Sequence, residues 1–552
     1  MRLNGARILI EELINQGVDT VFGYPGGAVL NIYDELYKCS DRINHVITAH
    51  EQGACHAADG YARASGKTGV VIATSGPGAT NLVTGIANAN LDSVPLVAIT
   101  GNVSVDALGR DSFQEVDIVG ITQPVVKHNF MVRDVTELEQ TIKEAFLIAN
   151  TGRKGPVLID IPKNVQIGSC EYGIAVVPRM PDKPKLSYKR EMVLDAIRKA
   201  ERPFIYCGGG VQAAEAGKEL LELSKRLDAP VGLSMMGRTV LPDSYDYNLG
   251  MCGMHGIYAS SKAQSECDLM IAVGVRFSDR ATGDINEYTS KCTVIHIDID
   301  KAELGKNVQP DLSVQGDVKE ILTDLLKDIE EQRHPEWRKL IEEYKKEGPP
   351  ARPGEFCPKN IIEAVRAHME DSTVVATDVG QHQMWTVQYY RFEKPRTLLT
   401  SGGLGTMGYG LGAAIGGCIG AGRKRTVLFT SEGSFGMNLN ELCTVVSQEL
   451  PVTVVILDNN VLGMVRQWQG IFYGERYSQT TLNRKTNFAA LADAFGAKGF
   501  SVSTLDELEE VLKATDTGDT GSYVIDCHID MDEKVLPMIP PGKSIKDIIL
   551  KG

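Results

Sequence analysis

The sequence predicts an α/β protein built from three tandem doubly wound parallel-sheet domains, and three observations carry that prediction. Short aliphatic and β-branched runs alternate with segments of helical length along almost the whole chain, the pattern of strand-helix-strand crossovers. Most of these runs end in Gly or Pro, which lets the backbone turn sharply where a strand feeds a helix. Two stretches without periodicity, VPRMPDKPKLSY at 177–188 and EGPPARPGEFCPK at 347–359, divide the alternation into three.

The first part, 1–180, opens with an amphipathic helix expected over Leu3–Asn15 and closed by Gly17. Strands follow in TVFGYPGG, HVITAHEQG, GVVIATSGPG, PLVAITG and PVLIDIPK. The second part, 188–345, repeats the alternation with RPFIYCGGG, APVGLSM, CDLMIAVGVRFSD and CTVIHIDID, and a charged helix is expected over Val318–Lys346. The third part, 358–552, holds STVVATDVG, TLLTSGG and SYVIDCHID around a central unit at 426–460.

Composition narrows the function class. A chain of 552 residues, 43% hydrophobic and 23% charged, is an ordinary globular protein with room for about three domains of ~150–200 residues. Its net charge of −14 argues against nucleic acid or an anionic membrane as partner, since both call for basic patches. Eleven cysteines lie scattered without CxxC or Cys/His metal spacing, and Cys207, Cys418 and Cys443 fall inside apolar runs, so reduced core thiols are expected. Glu11 and Glu12 interrupt what would be the apolar core of a signal peptide, and no apolar run reaches ~18 residues. A cytoplasmic protein, or a mature chain that has lost a transit peptide, is the expectation.

The central unit reads TVLFTSEGSFGMNLNELCTVVSQELPVTVVILDNN. Strand-length runs at Thr426–Thr430 and Val452–Leu457 bracket helical spacing at Leu439, Leu442, Val446 and Leu450. A right-handed crossover makes the two strands parallel, which puts Glu432 and Asn459 just past carboxyl ends, where open α/β sheets keep their ligand crevice. One carboxylate and one amide oxygen converging there suit Mg²⁺, which keeps phosphate oxygens in its shell, so a diphosphate is the expected ligand.

An acid-Gly-Ser followed 27 positions later by an Asn-rich strand end resembles the metal and diphosphate motif of thiamine diphosphate enzymes. NLNELCTVV, LDNNVLGMVRQWQ and SGGLGTMGYGLGAAIG resemble, more narrowly, the large catalytic subunit of acetohydroxyacid synthase, the biosynthetic acetolactate synthase. The resemblance runs from GYPGGA at Gly23 to the PMIPPGK tail. It implies pyrimidine-binding, FAD-binding and diphosphate-binding domains in that order. It also implies decarboxylation of pyruvate and its joining to a second pyruvate or to 2-ketobutyrate, in branched-chain amino acid biosynthesis. Sites completed across a homodimer or homotetramer, and a separate small regulatory subunit, belong to the same expectation.

The resemblance assigns residues one by one. Glu51, in HEQGA, is the acid that hydrogen-bonds the aminopyrimidine ring and promotes removal of the thiazolium C2 proton. Read without it, an acid there caps a helix N-terminus. Gly27, Phe113 and Gln114 line the pyrimidine side of the reaction pocket. Arg280 holds the acceptor carboxylate and Trp468 gives an apolar wall favouring an acceptor with one more methylene. The plain readings are a surface ion pair and a core indole. Gln381, His382, Gln383, Gly433, Ser434 and Met464 lie beside the cofactor, and Met407 props its bent conformation. Glu432, Asn459 and Val461 hold Mg²⁺. Gly208, Gly209 and Gly210 follow a strand, where their backbone N–H groups are expected to meet a pyrophosphate, and the resemblance adds Arg276, Asp298 and Asp317 as contacts to FAD, which is structural because the reaction has no net redox change. One departure stands out: the family has Asp at the position of Glu432, and usually Gly at Ser431, which implies a raised metal requirement. Three other readings stay open: a catabolic acetolactate synthase, a pyruvate oxidase, and a silent partner subunit weakened at Glu432.

Overall fold

The computed structural model describes residues 1–174, 186–515 and 521–551; most of the proposed linker at 177–188 lies outside them. The three tandem α/β units of the sequence reading are present as three six-stranded sheets, each drawn from one continuous stretch of chain and parallel at every strand pair.

In the first sheet the spatial order is Asn44–Ile47, Thr20–Tyr24, Gly69–Ala73, Leu96–Asn102, Pro156–Pro162, His128–Met131. Numbered by sequence, that is 2-1-3-4-6-5, so the order reverses between Tyr24 and Ala73. Helix α1 (Glu51–Ser65) starts at His50, whose ring accepts from the Gln52 amide, and stops at Gly66 in the left-handed region. The opening helix runs Gly5–Asn15 rather than from Leu3, because Arg2–Asn4 pairs antiparallel with Ser169–Glu171 and the Asn4 side chain caps the helix.

The second sheet reads Asn248–Met251, Val231–Leu233, Pro203–Cys207, Leu269–Val273, Thr293–Asp298, Leu312–Gln315. Its order is 3-2-1-4-5-6, the dinucleotide-binding arrangement, with its switch between Cys207 and Val273. The single long helix expected over Val318–Lys346 is two, Val318–Leu325 and Pro335–Tyr344, because Pro335 cannot sit in a helix interior and starts a new one.

The third sheet runs Leu398–Leu399, Val374–Thr377, Thr426–Thr430, Val452–Asp458, Tyr523–His528, Lys498–Val502, again 2-1-3-4-6-5. In chain order helix α2 (Gly410–Gly420) precedes strand β1 (Thr426–Thr430), helix α3 (Glu432–Asn438), strand β2 (Val452–Asp458) and strand β3 (Tyr523–His528). β1 and β2 are adjacent and parallel, and every residue of both is buried, as strands covered on both faces must be. The crossover helix expected from its apolar spacing is broken: α3 ends at Asn438, a 3₁₀ turn covers Leu439–Glu441, and a short helix follows at Leu442–Ser447, leaving Leu450 outside.

The first and third domains meet along α1 and α2, where small residues let backbones touch. A Cβ on Gly416 would lie 1.7 Å from the Ala57 carbonyl oxygen, and one on Gly60 2.3 Å from that of Ala413. None of the eleven cysteines is in a disulfide; Cys207 and Cys418 are buried as expected, whereas Cys443 is exposed. Among the described residues no helix is long and apolar enough to cross a membrane.

Candidate active site

Each sheet carries predicted residues at or beside the place where its strand order reverses, the position at which a crevice opens beyond the carboxyl ends, although Asp317 follows the far edge strand of the second sheet. In the first domain the turn Thr74–Gly78 is the hub. The Ala28 amide donates to Thr74 Oγ1 (3.2 Å), which fixes the loop carrying Gly27. A Cβ on Gly78 would stand 3.2 Å from Glu51 Oε1, and one on Gly76 2.9 Å from the Gln114 carbonyl oxygen. The fold thus brings Glu51, the Gly27 loop and Gln114 around one turn. Glu51 begins α1, is half-buried, and accepts from Asn81 Nδ2 at 2.9 Å. Gln114 holds a positive φ of 86°, and Phe113 beside it is 89% exposed. A Cβ on Gly27 would meet open space, so this loop is not forced by packing within the chain.

In the third domain Glu432 opens α3, 3% exposed, with neither carboxylate oxygen bonded among the described residues. Burial first, then the charges of Asp458 and Asp526, push its pKa up to about 8. Asn459 leaves the end of β2 and its Nδ2 donates to Gln381 Oε1 (3.2 Å), while its Oδ1 accepts the Val461 amide (3.3 Å). Gln381 also donates to the Glu533 carbonyl (2.7 Å), and Gln383 to Thr400 Oγ1 (2.7 Å). His382 is buried and its pKa falls to about 3, so the ring is neutral; bonded to the Asp378 carbonyl, it leaves Nε2 without a partner. Ser434 donates to the Val379 carbonyl (3.1 Å), and a Cβ on Gly433 would press on Leu462 at 2.9 Å.

A cavity of about 2740 Å³ runs from this crevice to that of the middle domain. Gln381, His382, Gln383, Met407, Asn459, Val461, Met464 and Trp468 line one end, and Gly208–Gly210, Arg276, Asp298 and Asp317 the other. Single small-molecule pockets hold about 300–1,000 Å³, so this space accommodates more than one cofactor. The triple glycine corrects a sequence expectation. The Gly208 amide donates to the Val273 carbonyl (2.9 Å) and that of Gly210 to the Gly274 carbonyl (3.1 Å), so two of the three amides serve the strand ends and only Gly209 is left to face a pyrophosphate. A Cβ on Gly208 would lie 2.0 Å from the Gly274 oxygen, which makes close packing the reason for glycine there. Asp298 rises to about 6 through burial and accepts the Asp300 amide (2.8 Å); Asp317 caps the helix at Val318 through the Glu320 amide (3.1 Å). Arg276 reaches the Leu91 carbonyl of the first domain.

Arg280 and Trp468, 188 positions apart, come together: the guanidinium carbon sits 5.5 Å from the indole centroid, and both border the cavity. Arg280 is 61% exposed; among the described residues Asp279 is its only carboxylate neighbour, 3.8 Å from Nε, and Nη1 meets Met254 Sδ at 3.9 Å, which leaves part of the fork open to a carboxylate. By contrast Glu51, Gly27, Phe113 and Gln114 do not border that cavity. The candidate residues of one chain thus fall into two groups, one bordering this cavity and one not.

The chain matches three thiamine pyrophosphate enzyme models: the N-terminal TPP binding domain over 3–121, the central domain over 191–325 and the C-terminal TPP binding domain over 378–527. It is 43% identical to the acetolactate synthase isozyme 2 large subunit of Escherichia coli, across all of both chains. It is also 43% identical to the probable acetolactate synthase large subunit of Methanocaldococcus jannaschii, over 99% of this chain and 95% of that one. An acetolactate synthase of Mycobacterium bovis is 42% identical, with 99% and 91% covered. The chain belongs to the acetolactate synthase large-subunit family. It is a thiamine diphosphate-dependent enzyme of that family.

The residues present fit the cofactors of that family. The Glu432 oxygens, buried and without partners among the described residues, are hard donors of the kind that suits Mg²⁺. The unfilled Nε2 of His382 and the first turn of the helix Gln381–Tyr389 suit a hydrated diphosphate. The 3-2-1-4-5-6 switch suits a dinucleotide such as FAD.

Sequence reasoning missed three residues that hold the candidate site in place. Asn81 holds Glu51, and nothing in ATN marks it out. Thr74 anchors the Gly27 loop from an unremarkable strand end. Glu441 is fully buried and accepts the Ala49 and His50 amides at 3.1 and 3.0 Å, so the third domain fixes the start of α1. Its signal was legible: a lone acid on an apolar helical face.

Proposed function

We propose that this chain is the catalytic subunit of an acetohydroxyacid synthase, decarboxylating pyruvate and joining the two-carbon unit to pyruvate or 2-ketobutyrate, with Mg²⁺ and FAD bound beside thiamine diphosphate. Bound thiamine diphosphate supplies the electron sink for decarboxylation. The protein's own part is divided. Glu51, oriented by Asn81 and by the amide clamp of Glu441, holds a proton at the aminopyrimidine ring. Glu432, Asn459 and Val461 hold the cation that carries the diphosphate. Gly209, Arg276, Asp298 and Asp317 hold the flavin.

The observation that carries the reading is Arg280 over Trp468. A decarboxylase needs only to deliver a proton, whereas a synthase must hold a second 2-keto acid. An open guanidinium above a flat apolar wall binds a carboxylate at one end and selects alkyl length at the other. Because the two groups of candidate residues in one chain do not border one cavity, a second copy completes each site, and exposed Phe113, Met437 and Val465 are suited to that contact. A small regulatory subunit is part of the proposal, in keeping with the large-subunit names of the relatives.

The test is product analysis with purified chain, pyruvate, thiamine diphosphate, Mg²⁺ and FAD. Acetolactate and CO₂ are expected. Acetyl phosphate with peroxide, or free acetaldehyde, as the main product would overturn the carboligase reading. A second reading, a partner subunit with a weak cofactor site, draws on the buried Glu432 held largely protonated at neutral pH. It predicts no activity in the chain and activity in Glu432→Asp.

A further inference from the structure

Behind the residues assigned to the cofactor cation lies a second group of metal-binding type. Asp458 ends β2, while Asp526 and His528 lie on β3, and the register pairs Asp458 with His528 and Ile456 with Asp526. Paired residues of parallel strands, and residues two apart on one strand, share a face. All three side chains therefore project from one face at the carboxyl edge, whereas Asn459, next along the chain from Asp458, turns to the cavity. One ligand atom from each of the three lies within 4.8 Å of the other two. Drawing each atom in by less than about an ångström gives the ~2.0–2.2 Å of a metal bond.

The group is short of positive charge. Asp526 is 3% exposed, and its Oδ1 has no partner among the described residues. Among the described residues neither aspartate is paired with Lys or Arg. Of the basic side chains only His528 approaches them, at 3.9 Å to Asp458 Oδ2 and 3.8 Å to Asp526 Oδ2, too far for hydrogen bonds, while Asp458 Oδ1 accepts the Asn460 amide at 3.0 Å. Its Nε2 is 2.9 Å from Ser501 Oγ, which orients the ring, and its side chain is 43% exposed, which gives an ion a path from solvent. Desolvated carboxylates without a counter-charge are costly, and a divalent cation removes that cost.

We propose that Asp458, Asp526 and His528 bind a divalent transition cation of the Zn²⁺ or Mn²⁺ class, at a site back to back with the residues that hold the cofactor's cation. The imidazole selects against Mg²⁺ and Ca²⁺, which take oxygen ligands. The second ion neutralises the carboxylates beneath Glu432.

The experiment saturates the holoenzyme with thiamine diphosphate and Mg²⁺, titrates Zn²⁺, and counts retained zinc per chain by atomic emission after dialysis. One Zn²⁺ per chain is expected. Asn459→Ala, which removes a ligand of the cofactor cation only, keeps it; His528→Ala and Asp526→Asn each weaken its affinity at least tenfold. The half-exposed His528 makes its replacement compatible with folding, checked by an unchanged melting temperature in the presence of Mg²⁺. An anomalous zinc peak at His528 in crystals of the holoenzyme is the independent expectation. No retained zinc, equal retention by His528→Ala, or loss in Asn459→Ala alone would overturn the proposal.

Discussion

The first and third domains share the strand order 2-1-3-4-6-5, and each starts a helix beside its crevice with a glutamate, yet the two carboxylates are opposites. Glu51 is half-buried, bonded by Asn81, and braced through its helix by Glu441. Glu432 is buried, unbonded and surrounded by Asp458 and Asp526, which lifts its pKa to about 8. On the proposed function, the same residue on the same scaffold serves two tasks. A carboxylate with one fixed donor and access to solvent can keep a proton in exchange with a bound ring. A dehydrated carboxylate without a donor is a high-energy group that a cation relieves. Burial and neighbours, rather than fold, decide which.

The comparison breaks first at Glu51. Glu51→Gln keeps the hydrogen-bonding shape but not the acid, and acetolactate formation is expected to fall by about 10²–10⁴-fold with cofactor affinity retained. Assays at saturating cofactor check it. At Glu432 the expected effect is on metal instead: Glu432→Gln raises the Mg²⁺ concentration for half-activity by roughly 10–100-fold, and Glu432→Asp lowers it below that of the unmodified chain. Mg²⁺ titrations of the rate distinguish the two. Beyond the pair, Trp468→Leu shifts the 2-ketobutyrate to pyruvate product ratio by about tenfold, the scale of one methylene in an apolar pocket, as read in a competition assay.

The smallest effect is on stability against pH. Without a cation, folded Glu432 keeps its proton to about pH 8, whereas the unfolded chain releases it near the usual 4.5. The native state then binds more protons across that window, so stability falls as pH rises from about 4.5 to about 8. Melting temperatures of the cation-free chain are expected to drop by a few degrees over that range. Mg²⁺ with thiamine diphosphate, or Glu432→Gln, flattens the slope.

Much of the fold was legible because parallel strands buried on both faces write themselves as apolar runs, β2 being the clearest. Polar edge strands left no such trace: His128–Met131, Asn248–Met251, Leu312–Gln315 and Lys498–Val502 mix polar residues or Gly into their apolar ones. The broken crossover after α3 was hidden because its apolar spacing spans a 3₁₀ turn that periodicity does not detect. Of the site, residues beside strand ends were readable as types, and the pairing of Arg280 with Trp468 came through the family pattern. Asn81 and Thr74 were not, since each acts on a neighbour brought near only by packing; Glu441 stood out as a lone acid among apolar residues, but its partners at Ala49 and His50 did not. The raised pKa of Glu432 was equally out of reach, because it comes first from burial, then from Asp458, and last from Asp526 on a strand 94 positions away.

The division of labour between the two glutamates is tested most directly by the rate of hydrogen-deuterium exchange at C2 of bound thiamine diphosphate, measured in the unmodified chain, Glu51→Gln and Glu432→Gln. Slowing by at least about 100-fold in Glu51→Gln with unaltered cofactor affinity is predicted. In Glu432→Gln, cofactor affinity at limiting Mg²⁺ is predicted to fall while exchange in the saturated enzyme stays near that of the unmodified chain. Normal exchange in Glu51→Gln, or exchange lost at saturation in Glu432→Gln, would contradict the assignment of proton handling to the first domain and cation holding to the third.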